Sequence, residues 1–80
     1  MYLANAYRRA FTIVPHDTNV ITQPVHALYI GGVGDITLRL AGDTADVVLK
    51  AVPIGTLLMV SPKLIKATGT TATLMIGFSA

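Results

Sequence analysis

The 80-residue sequence predicts an all-β protein, a small antiparallel β-sandwich, jelly-roll-like, of about six to eight short strands. Three observations lead there. Apolar and polar residues alternate with a period of two along most of the chain, as strands with one buried face require. Breakers interrupt that alternation at short intervals: Pro15, Pro24, Gly31-Gly32, Gly42, Pro53, Gly55, Pro62 and Gly69. Ten threonines stand among many Val and Ile while Glu is absent, which favours pleated, half-buried backbone over helix.

Taken in order, residues 1–10 carry two tyrosines and a leucine without alternation, and are expected to form an N-terminal arm, extended or with a short helical turn. A single sandwich domain is expected over 11–80, opening with a strand at 11–14. Pro15 and Pro24 bracket "HDTNVITQ", an edge strand or an irregular crossing, because proline cannot donate to a central ladder. A strand over 25–30 sets His26, Leu28 and Ile30 on one face. "GGVGD" follows between two alternating runs and predicts a hairpin turn, glycine supplying positive φ without steric cost. In "DITLRL", Ile36, Leu38 and Leu40 share one face while Asp35, Thr37 and Arg39 share the other. Strands are further expected at 46–52, 56–60, 63–68 and 73–78.

Composition argues for a subunit. Hydrophobic residues make up 52% and charged residues 12%, about half the roughly 25% charge of a soluble globular domain. A body this small buries only about 60% of its unfolded surface, so part of that apolar surface is left for contact with other chains. Cysteine is absent, which removes disulfides, thiol catalysis and thiolate metal sites. The net charge of +2 is too small and too scattered for a nucleic-acid binder, and nucleic acid is not an expected partner. Every apolar run breaks well before the roughly 20 residues of a membrane helix. In "MYLANAYRRAF" the charges follow the apolar part, unlike a secretory leader, so the chain is expected to be soluble where it is made.

No catalytic, cofactor-binding or metal-binding residue is expected. A dinucleotide fingerprint starting at Gly32 and Gly34 would need a third glycine where Thr37 stands, and a helix where a strand is predicted. His16-Asp17 and His26 lack the spacing that brings two imidazoles onto one ion, and Asp43 and Asp46 sit in a polar turn. Neither Ser61 nor Ser79 lies in a G-x-S-x-G elbow. The chain therefore does not read as an enzyme. Its expected contacts are with partners, through the arm residues Tyr2, Leu3, Tyr7, Arg8, Arg9 and Phe11, the arginine pair suiting an acidic surface.

Five stretches in order carry a resemblance: Asp17-Thr18, "ALYIGGVG" at 27–34, "LAGD" at 40–43, "PIGTLL" at 53–58 and "ATGTTAT" at 67–73. This series resembles the spike base proteins of tailed-phage heads and gene transfer agents, over about residues 16–78. His26 stands where that family more often has a basic residue, "LLMVSPKLI" replaces its L-L-P and basic strand, and 1–14 matches no part of its pattern. The resemblance implies a virion structural protein made in the bacterial host cytoplasm and located on the head surface. There it would form a homo-oligomeric ring, with the major capsid protein beneath and a spike or fibre protein above. Three-, five- and sixfold rings all stay open. A carbohydrate- or receptor-binding β module of a phage tail or fibre is the alternative, and a single-stranded nucleic-acid-binding small β-barrel the third reading.

Overall fold

The structure, a computed structural model, describes residues 6–80. Seven strands follow one another without a helix among the described residues: β1 (Arg9–Thr12), β2 (Ala27–Gly32), β3 (Gly34–Leu40), β4 (Val47–Val52), β5 (Leu57–Leu58), β6 (Pro62–Ile65) and β7 (Thr73–Ser79). They form two antiparallel sheets, one of four strands in the order β1-β7-β2-β5 and one of three in the order β4-β3-β6. The result is the predicted small β-sandwich.

Alternation decides which side chains meet between the sheets. In β2 Leu28 and Ile30 face inward, in β3 Ile36 and Leu38, and in β7 Met75; Ile65 of β6 joins them in one core cluster with Ile13, Val25 and Val52. Burying each such side chain contributes about 1.5–3 kcal/mol. Segment 13–24 crosses irregularly along the sandwich edge, held where the His16 N–H donates to the Ile65 carbonyl (2.9 Å) and the Ile21 N–H to the Lys63 carbonyl (2.7 Å).

The expected hairpin at the glycine cluster does not form. β2 and β3 belong to different sheets, with only Val33 between them. Gly31, Gly32 and Gly34 do not have positive φ; among the described glycines that conformation belongs to Gly55 and Gly69. The cluster exists because segment 71–74 presses on it. A Cβ at Gly31 would lie 2.6 Å from the Leu74 carbonyl oxygen, one at Gly32 would overlap the Thr73 hydroxyl, and one at Gly34 would overlap the Ala72 nitrogen. Absence of side chains, not backbone handedness, lets the chain cross between layers here.

Other elements depart more modestly from expectation. The strand expected at 56–60 shrinks to two residues, and that at 63–68 ends at Ile65, where the chain turns through Gly69 at φ +86°. That turn covers Thr37, which is buried rather than solvent-facing. β4 carries a bulge opposite Asp35, where the register against β3 shifts. His26 is exposed instead of sharing the inward face of Leu28 and Ile30.

Candidate interaction face

The polar residues first suspected of chemistry are engaged in holding turns. The Asp17 carboxylate accepts from both the N–H and the hydroxyl of Thr68, each at 2.8 Å, and so fixes the 66–70 turn. Those bonds, the backbone one foremost, hold its pKa below the ordinary 3.8. Asp35 accepts the Ala51 N–H at 2.8 Å and has Lys50 Nζ 3.5 Å from its second oxygen; the Ala51 bond leads the causes that lower its pKa. It thereby stabilises the β4 bulge, in which Ala51 takes a left-handed φ of 51°. Asp46 sits between Arg39 (2.9 Å) and Lys66 (3.5 Å). His16 Nδ1 accepts from the N–H groups of Thr18 and Asn19, and His26 Nδ1 from that of Ala80. Among the described residues no three His, Cys, Asp or Glu side chains form a metal-binding group. A shallow cavity of about 310 Å³ between β1 and the 19–23 segment has His16 as its only titratable lining residue.

A different surface stands out. In an antiparallel sandwich the outward face of a sheet is ordinarily polar. Here the outward positions of the four-stranded sheet are Leu74, Ile76 and Phe78 of β7, Ala27 and Tyr29 of β2, and Leu57 of β5, matched row by row through the strand register. β1 adds Ala10 and Thr12. None of them is charged. Leu74 is 74% exposed, Leu57 48% and Tyr29 37%, and Met59 just beyond β5 is 67% exposed.

Tyr7 covers one corner of this face. Its ring stacks on Phe78 at a centroid distance of 6.0 Å, its hydroxyl donates to Met59 Sδ at 3.5 Å, and outward-facing Ala27 is wholly buried. Arm residues suspected of partner contact are thus dispersed. Arg8 is exposed and its N–H bonds the Ser79 carbonyl at 2.9 Å. Arg9 pairs with Ser79 inside β1 and is exposed as well. Neither forms a salt bridge among the described residues. Phe11 faces inward, packed on the core and against Gly77. Tyr2 and Leu3 lie outside the described residues.

Sequence reasoning passed over Tyr29, Leu57, Met59 and Leu74 although a signal was present. "LMIGF" at 74–78 is apolar at consecutive positions, the pattern of a strand covered on both faces rather than one.

No protein-family model and no curated protein matches the chain. It is similar to a chain of a solved structure described as "Capsid of native GTA particle computed with C5 symmetry", at 29% sequence identity and a TM-score of 0.84, over 99% of this chain and 90% of that one. A likeness of that identity along nearly the whole length supports more than a shared fold: it supports a structural protein associated with the capsid of a phage or gene transfer agent.

Proposed function

We propose that this chain is a virion structural protein without enzymatic activity, a homo-oligomeric decoration or spike base subunit seated on the head and carrying a spike or fibre. The observation that carries the proposal is the full-length likeness to a chain of the gene transfer agent capsid. Two features of the molecule support it. Asp17, Asp35 and Asp46 are committed to turns and ion pairs, and the uncharged outward positions of the larger sheet leave Leu74, Leu57 and Tyr29 exposed, suited to contact rather than chemistry. In this role the arm reaches the capsid or a neighbouring subunit, Tyr7 anchoring it to the body while Arg8 meets acidic groups.

The test is incorporation into particles. A labelled full-length chain should copurify with heads and be seen on their outer surface. A chain lacking residues 1–6, or carrying R8E, keeps Tyr7 and β1 and should fold yet copurify poorly. Absence of the full-length protein from purified particles would overturn the virion role, and undiminished incorporation of both variants would overturn the role of the arm.

A further inference from the structure

We infer that copies of this chain join head to tail, the 53–56 turn of one copy, led by Ile54, seating in the cavity beside β1 of the next. The inference rests on the assembly proposed above and names the two unlike surfaces that build it. Its basis is a row across the larger sheet. The Ile13 N–H donates to the Met75 carbonyl at 2.9 Å, Met75 pairs with Ile30, and the Gly55 N–H donates to the Ile30 carbonyl at 2.7 Å. Cavity and turn therefore occupy the two ends of a single row, three strand spacings or about 14 Å apart. A surface that meets its own copy closes a pair, whereas unlike surfaces at opposite ends leave one of each free after every contact. Because turn and cavity lie at one level along the strands, copies added along the row gain little rise, the condition for a ring instead of a filament.

Each end is shaped for its part. The turn is pinned: Gly55 takes φ +83°, the Thr56 hydroxyl donates to the Pro53 carbonyl at 2.7 Å, and the Ile30 N–H donates to the Thr56 carbonyl at 3.0 Å. On this fixed support Ile54 is 67% exposed, so little freedom remains to be lost on docking. The cavity has Phe11, Ile13 and Ile21 in its lining and is ample for one isoleucine side chain; Val14 and Val20, which also line it, are exposed. Charge agrees, since residues 51–60 carry none and His16 is the one titratable group at the cavity. Ile54, Leu57 and Met59 expose on the order of 350 Å² of apolar surface at one end, and Val14 and Val20 about 200 Å² at the other. With somewhat over half of an interface apolar, this corresponds to a contact of about 1,000 Å², the size at which a specific interface becomes credible.

Mixing two variants tests the polarity of the contact. Ile54→Asp spoils the turn and keeps the cavity, Val20→Asp does the reverse, and both side chains are exposed, so both variants should fold. Each alone should self-associate roughly 30-fold more weakly than the wild type, yet an equimolar mixture should form a 1:1 pair that grows no further. Leu74→Asn, on the outward face and away from both ends of the row, should assemble like the wild type, asparagine tolerating its left-handed backbone. Sedimentation across a concentration series reads mass, and circular dichroism reads folding. Since the chain has no cysteine, mixed Ile54→Cys and Val20→Cys chains supply a second measurement. They should form an interchain disulfide in oxidising buffer, and Leu74→Cys mixed with Val20→Cys should not. If Ile54→Asp and Val20→Asp stay fully multimeric, if they lose assembly yet neither pair nor cross-link, or if the wild type stops at a dimer, the head-to-tail contact is wrong while self-association stands. A wild type that stays monomeric at every concentration overturns both.

Discussion

Replacing Gly34 with alanine probes why the glycines at the crossing exist. A Cβ there would lie 2.6 Å from the Thr71 carbonyl carbon and 2.7 Å from its hydroxyl, against 3.4–4 Å for ordinary contact, so segment 71–72 must retreat by roughly an ångström. That segment is held by three hydrogen bonds to Asp35: the Thr71 and Ala72 N–H groups donate to its carbonyl at 2.8 and 3.1 Å, and its own N–H donates to the Thr71 hydroxyl at 2.8 Å. Overpacking costs about 1–3 kcal/mol and each weakened bond up to about 1 kcal/mol, so Gly34→Ala should destabilise by about 3 kcal/mol. At a urea m-value near 1 kcal/mol/M that lowers the unfolding midpoint by about 3 M. Gly42→Ala, with open space around it and no positive φ, should change stability by less than about 0.5 kcal/mol. Gly55→Ala, at φ +83° in open space, should lose about 1 kcal/mol and recover most of it as Gly55→Asn. Melts at one fixed protein concentration keep association constant across the set. The reasoning fails if Gly34→Ala is as mild as Gly42→Ala, or if asparagine at 34 rescues what alanine loses.

Ala51→Gly should stabilise by up to about 1 kcal/mol in the same denaturation assay, because the bulge holds an alanine at φ 51°. Thr37→Val should also stabilise, by about 1 kcal/mol, since the Thr37 hydroxyl is buried with no hydrogen-bond partner among the described residues. Asp17 has a pKa lowered in the folded state, so its stabilising effect is full above the ordinary value of 3.8 and disappears as pH falls through the lowered folded value. The stability gap between wild type and Asp17→Ala, measured by thermal melting along a pH series, should accordingly narrow on acidification and stay constant toward neutrality.

Strand positions were legible because burial between two sheets imposes a period of two, and β3 and β7 fall within a residue of the alternation that announces them. What eluded the sequence depends on neighbours distant along the chain. The glycines at 31–34 answer to residues 71–74, a pressure no local pattern records, so turn chemistry was the nearest available explanation. Left-handed Ala51 and Leu74 are hidden for a similar reason: neither residue type favours that backbone, and only the Asp35 bond and the close approach to Gly31 accompany it in space. The interaction face was half visible, since consecutive apolar residues in β7 could have been read as burial on both sides. The arm residues were chosen for their chemistry without knowledge of direction, so one selection included inward-facing Phe11 with outward-lying Tyr7.

β7, the last strand in sequence, lies between β1 and β2. During synthesis β1 has no hydrogen-bonding partner, and β2 only the two-residue β5, until β7 has been made. Pairing across so long a loop is slow compared with local structure formation, so the larger sheet closes only once β7 has arrived, with its greasy strands briefly open to neighbours. A chain in which β7 cannot pair would lack the strand that joins β1 to β2, and should yield aggregates rather than slightly weakened, working subunits.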